Sequence, residues 1–123
     1  MSIVTQSIGA YQDWTPTFTG FSANPSTPLT RYSLNGKMCT VNIITGNGTS
    51  NLSTFTITLP FTAKTSALTR PSAITTDAGT IAAGWCSTRS GSNVMDVYRT
   101  PATLTWTTSG NKALVATFTY EID

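Results

Sequence analysis

Residues 37–59 read KMCTVNIITGNGTSNLSTFTITL, and the second half of the stretch alternates cleanly: Phe55, Ile57 and Leu59 fall on one face, Thr54, Thr56 and Thr58 on the other. Successive strand side chains point to opposite faces, so the pattern requires a sheet with one dry side and one wetted or contacted side. In the first half, residues 37–45, Cys39, Val41 and Ile43 share one face while Met38 and Ile44 share the other. Apolar residues on both faces predict a central strand covered more heavily than its neighbour. A Gly/Asn turn over residues 46–51 joins the halves, and Pro60 closes the second. A sheet dry on one side needs a partner layer, so the stretch predicts a β-sandwich.

Upstream, residues 29–34 lead into Asn35-Gly36, a dipeptide able to supply the positive φ angles of a tight hairpin. Residues 21–29 hold Asn24-Pro25 and Thr27-Pro28 and read as a loop. Residues 14–20, WTPTFTG, put Trp14, Pro16 and Phe18 in one phase; proline removes a ladder donor, which places this strand at an edge. Residues 1–13 lack steady alternation and read as an N-terminal arm ahead of a single domain over 14–123.

Downstream, residues 61–71 form a connection with one helical turn expected at 63–68. Strands follow at 73–76 and 80–88, parted by Asp77-Ala78-Gly79, and then a polar turn, RSGSN, at 89–93. Residues 94–99 alternate Val94, Asp96 and Tyr98 against Met95, Val97 and Arg99. A strand at 102–108 carries Leu104 and Trp106, and after a turn at 109–111 the last strand sets Leu114, Ala116, Phe118, Tyr120 and Ile122 on one face. About eight strands with frequent turns predict an all-β, antiparallel, jelly-roll-like sandwich of two sheets.

Composition agrees with this. Of 123 residues only 10% are charged, against roughly 25% in an average globular chain, while Thr occurs 26 times and Ser 13 times. Thr suits a pleated, half-buried surface. A surface poor in charge and rich in β-formers weakens repulsion between copies, so contact with other chains is expected. The net charge of +2 and the scattered Arg31, Lys37, Lys64, Arg70, Arg89, Arg99 and Lys112 argue against nucleic acid, which calls for a concentrated basic face.

The first residues carry no basic lead into an apolar core, so no signal peptide is expected, and no run reaches the roughly 18 apolar residues of a membrane helix. Cys39, in phase with Val41 and Ile43, reads as a buried small hydrophobe, with a Cys39–Cys86 disulfide as the alternative. The sequons at Asn47 and Asn51 read as chance matches in so hydroxyl-rich a chain.

Catalytic and metal constellations are poorly supplied. Histidine is absent, which removes Ser-His-Asp and Cys-His systems and the usual zinc sites. The five carboxylates are Asp13, Asp77, Asp96, Glu121 and Asp123, and none forms a pair at a telling spacing. Glycoside cleavage through Asp96 or Glu121 is the weakest of the readings. No phosphate, dinucleotide or calcium loop is present, so neither cofactor nor metal is expected.

Aromatic rings are the remaining candidates for recognition, since they stack on sugars and anchor protein interfaces. Trp14 and Trp106 share faces with apolar residues and read as core or intersubunit packing. Trp85 follows Gly84 and precedes the polar turn, a setting that fits either a partly buried side chain or a loop rim. Trp85, Arg89 and Asn93, with Tyr98 behind them, are the candidate receptor-binding residues.

Trp14-Thr15-Pro16 leading to Gly20, the hairpin at 32–36 with a hydrophobic strand ending near Gly46, the strand from Phe55 closing in Leu59-Pro60, and the final Phe118-Thr119-Tyr120 together resemble C-terminal head domains of bacteriophage tail fibres and related virion β-sandwich proteins. The resemblance spans most of the chain and implies a non-catalytic homotrimer on the virion surface, made in the host cytoplasm, that contacts host glycan or protein. Tail-fibre heads usually follow a long shaft, and no fibrous repeat occurs here. A second expectation is therefore a capsid decoration or a tail or neck accessory that docks on other virion proteins through the arm.

Overall fold

The computed structural model describes residues 10–50, 53–99 and 106–123. Among them run ten strands and no helix: β1 (Gln12–Asp13), β2 (Phe18–Thr19), β3 (Leu29–Asn35), β4 (Met38–Ile44), β5 (Gly48–Thr49), β6 (Phe55–Thr58), β7 (Ser72–Asp77), β8 (Thr80–Thr88), β9 (Val94–Tyr98) and β10 (Asn111–Glu121). The expected all-β, antiparallel architecture is present as one continuous curled sheet. Its order is β1-β3-β4-β10-β7-β8-β9-β6-β2, with β5 pairing β10 off that path. The count exceeds the expected eight through the two-residue pieces β1 and β5, while β2 is what remains of the strand expected at 14–20. The strand expected at 102–108 lies mostly outside the described residues, and 106–108 are not strand. Residues 1–9 of the expected arm also lie outside them, while Gln12 and Asp13 belong to the sheet.

The opening stretch is not a hairpin. Its halves, β4 and β6, stand four strands apart in the sheet: β4 lies between β3 and β10, β6 between β9 and β2. The expected turn between them instead contains β5, whose Gly48 and Thr49 pair with Lys112 and Asn111 of β10. Strand β10 therefore acts as the keel, held by β4 along 115–121 and by β7 along 112–115.

The sheet's margins are tied by one segment. β1 pairs with β3 and β2 with β6, yet only residues 14–17 separate β1 from β2. Trp14 N donates to Thr30 O (3.1 Å) and Trp14 Nε1 to Thr58 O (3.3 Å), while Thr58 N donates to Thr17 O (3.0 Å) and Thr17 N to Thr58 Oγ1 (2.8 Å). Pro16, which has no N–H to give, is buried midway. The edge strand expected at 14–20 is thus a strap that serves both margins and blunts the open edges.

Local turns differ from expectation by small shifts. Asn35 pairs with Met38, so the hairpin loop is Gly36-Lys37, with Gly36 at φ 62 and Lys37 outside the positive region, the pattern of a type II′ turn. The β7–β8 loop is Ala78-Gly79, at φ 50 and 88, the pattern of type I′. In place of a helical turn at 63–68 there is a reverse turn in which Ala67 N donates to Lys64 O (3.1 Å), with Ser66 at φ 70.

Strand alternation fills the inside of the curl. Cys39, Val41 and Ile43, then Phe55, Ile57 and Leu59, then Met95 and Val97, then Leu114, Ala116, Phe118 and Tyr120 form one core with Trp106. Each large side chain so buried contributes about 1.5–3 kcal/mol by area removed from water. Trp106 donates Nε1 to Val97 O (3.1 Å) and packs on Phe55 at 4.8 Å between centroids, which settles its reading as core. The Tyr120 hydroxyl accepts from Phe61 N (3.1 Å) and donates to Phe61 O (2.9 Å), clasping the 61–71 connection. Cys39 and Cys86 are both buried and free, so the disulfide alternative is not the one adopted. Gly84 is needed for close approach, because a Cβ there would overlap Tyr98 O and the Thr75 methyl.

Candidate functional site

Two groups of side chains carry chemistry, one outside the sheet and one inside it. The outer group grows from the β8–β9 register, in which Trp85 pairs with Tyr98 and Ser87 with Asp96. Alternation turns Trp85, Ser87, Asp96 and Tyr98 outward, since Cys86, Met95 and Val97 between them are core. Trp85 and Tyr98 stack with centroids 4.1 Å apart and planes 25° apart. The Arg70 guanidinium lies 5.8 Å from the Trp85 ring centroid, within cation–π reach, so the half-buried indole is braced on two sides.

Arg89 lies at the far end of the same hairpin and forms a two-pronged pair with Asp96: Nε to Oδ2 at 2.9 Å and Nη2 to Oδ1 at 2.7 Å. Four residues of strand, about 13 Å, separate the Trp85 rung from that of Arg89. Asn93 is exposed in the turn, and its carbonyl accepts from Leu59 N (2.6 Å). Of the four candidate receptor residues the fold therefore brings Trp85 and Tyr98 into contact and leaves Arg89 and Asn93 beyond them along one ridge. Asp96, weighed in the sequence only as an acid, is the partner that fixes Arg89. Asp96 and Glu121, on β9 and β10, stand on strands separated by β7 and β8.

No protein-family model, curated protein or solved structure matches this chain.

The inner group was missed by the sequence reading. Asp77 ends β7 and Lys112 opens the inward face of β10; their rung is shared, and both side chains have 0% exposure. Lys112 Nζ lies 2.6 Å from Asp77 Oδ1, 3.0 Å from Thr107 Oγ1 and 2.6 Å from Ser109 O, so its three protons meet three acceptors. Asp77 also accepts from Thr107 N at Oδ2 (3.0 Å) and from the Thr107 hydroxyl at Oδ1 (2.7 Å). Arg99 Nε comes to 3.1 Å from Oδ2 without the alignment of a hydrogen bond, so its attraction is of charge alone. Burial pushes the Asp77 carboxyl up, but the hydrogen bonds from Lys112 and Thr107 outweigh it and hold the group below the usual carboxylate value. The signal was present in the sequence: Lys112 is in phase with Leu114 to Tyr120, and Asp77 with Ala73 and Thr75.

The Lys112 ammonium is saturated with acceptors and keeps no free pair for attack. Burial pushes the Cys86 thiol up to about 12 and also raises Cys39, against a hydrogen bond with Tyr120 that acts the other way, so both remain thiols at neutral pH. Among the described residues no cluster of three His, Cys, Asp or Glu side chains could hold a metal ion.

Proposed function

We propose that the chain is a non-catalytic recognition module of a phage virion, of the tail-fibre head type, acting as a homotrimer that contacts host-surface glycan or protein. The curled sheet is read in its finer form as a jelly-roll-like sandwich. One observation carries the recognition part: Trp85 and Tyr98 stand stacked on an outward sheet face, with the Arg89–Asp96 pair further along the same ridge. A rigid aromatic pair beside fixed polar groups is the surface chemistry that binds sugar rings or protein anchors at low entropic cost. Binding of the purified protein to host cells or glycan arrays tests it. Trp85→Ala and Tyr98→Ala should each lower binding at least tenfold with the fold retained, and unchanged binding by both would remove the site.

The rival role, decoration of a capsid or tail through the arm, draws support from β1. Gln12 and Asp13 pair along the β3 margin, with Tyr11 exposed beside them and Arg31 over its ring at 4.9 Å, so the chain ahead of β1 starts from an accessible edge. Deleting residues 1–9 should then release the protein from the particle while leaving glycan binding intact; retention would exclude that role.

A further inference from the structure

The outside of the sheet has one rung where the expected alternation fails on several strands at once. Register places Leu29 beside Ile44, Ile44 beside Val115, Val115 beside Ile74, and Ile74 beside Ala83, a transverse apolar row across β3, β4, β10, β7 and β8. Its three central members are 37%, 44% and 52% exposed. Asn42, Thr117 and Ser72 flank the row on one side; on the other, Thr76 stands between Ala113 and the exposed Ile81, so the apolar surface runs on by part of a second rung. Strand β4 was expected to be covered on both faces; this single chain covers only Cys39, Val41 and Ile43. A hollow of about 290 Å³ adjoins the row, bounded by Ser72, Ile74, Ala83, Val115 and Thr117, where β7 parts from β10 beyond Val115.

We infer that the outer face of β4, β10 and β7 is where copies of this chain meet, with Ile44, Val115 and Ile74 at the centre of the contact. The inference rests on the homotrimer in the proposed function and supplies its interface. Charge selects the occupant. The row and the outward positions Thr40, Asn42, Ala113, Thr117, Ser72 and Thr76 carry no formal charge; Arg31 and Glu121 lie only at the margins. An acidic or basic partner would find no counter-charge there, whereas another copy brings an equally neutral face and no repulsion.

Size agrees with the same occupant. Five strands and about seven residues of length give a face of ~450 Å² in projection, more once side-chain relief is added. That is the order of the ~800 Å² per partner of a stable interface. Apolar centre and polar rim are the anatomy such contacts share.

The test is the mass of the full chain by light scattering at micromolar concentration, for wild type and for Val115→Glu, Val115→Lys, Ile74→Lys and Val115→Thr. Near-UV circular dichroism reports the packed core around Trp106 in each. The wild type should show a multi-chain mass. Each charged variant should keep the native spectrum and weaken association at least a hundredfold, Val115→Thr about tenfold by loss of apolar contact, and mixing the Glu and Lys variants should restore part of it, since a mixed trimer matches two of its three charges. A monomeric wild type overturns both this interface and the homotrimer. A multi-chain wild type whose folded charged variants keep its mass overturns the interface alone, and neither outcome depends on host binding through Trp85.

Discussion

Strand β8 has a carboxylate–cation pair near each end. At its start Asp77 meets Lys112 at 2.6 Å with both side chains at 0% exposure; just past its end Arg89 meets Asp96 at 2.7 Å with exposures of 52% and 25%. The charges are alike and the lengths nearly equal, so distance does not decide what each pair does. Surroundings do. Water screens the outer pair and competes for every donor, leaving it a small share of stability and a large share of surface shape. The inner pair has given up its hydration and holds only because Thr107 and Ser109 complete its shell. It joins β7 to β10 and to the segment from Trp106 to Ser109, and so anchors the upper part of the keel.

Removing one partner from each pair gives the largest contrast. Lys112→Met or Asp77→Ala leaves an uncompensated buried charge and should cost about 3–5 kcal/mol in denaturant unfolding. Replacing both at once, Asp77→Leu with Lys112→Met, should recover most of the loss, because the cost lies in the orphaned ion and not in the absent attraction. Equal loss in single and double variants would mean that Thr107 and Ser109 depend on the pair for their own geometry.

Acid probes the inner pair next. The Asp77 carboxyl is held below the usual carboxylate value in the folded chain, so the unfolded chain takes up the proton first as pH falls. Its stabilisation is complete above the ordinary carboxylate value of 3.8 and is lost as pH falls through the folded value below it. Asp77→Asn should therefore flatten the acid limb of stability against pH. An unchanged limb in Asp77→Asn would assign acid sensitivity to other carboxylates.

The turn beside Asp77 tests how firmly the inner pair holds its neighbours. Ala78 sits at φ 50, a left-handed conformation that an L side chain adopts at some cost. Strand β7 has to end where Asp77 can reach Lys112, and the next two residues must then reverse the chain. Ala78→Gly should stabilise by about 0.5–1 kcal/mol in thermal or denaturant unfolding, and a loss instead would show that the methyl group packs usefully.

These contrasts also mark what could be read from residue order. The inward faces of β4, β6, β9 and β10 follow from alternation alone, because period two depends only on neighbours in the chain. The strap at residues 12–19 was not legible: its hydrogen bonds go to Thr30 and Thr58, one on each margin, and no local pattern encodes a bond to two distant strands. For the same reason β4 and β6 looked adjacent although four strands part them. In the candidate site, the Trp85–Tyr98 contact was within reach of hairpin register, whereas Lys112 was counted only among scattered basic residues although its phase pointed inward. Residue type outweighed periodicity there, and periodicity was the better guide.

The smallest effect belongs to the outer pair, and it is the one that bears on recognition. A double-mutant cycle on Arg89→Ala and Asp96→Ala should give a coupling of about 0.2–1 kcal/mol that shrinks as salt is added, while the Asp77–Lys112 coupling should scarcely respond to salt. If Arg89 serves host contact, its loss should weaken binding far more than it weakens folding, since the pair's value lies in presenting a fixed guanidinium further along the ridge that carries the Trp85–Tyr98 stack. A coupling that stays large at high salt would mean that the ridge is shielded from water, and that its charges belong with the inner pair after all.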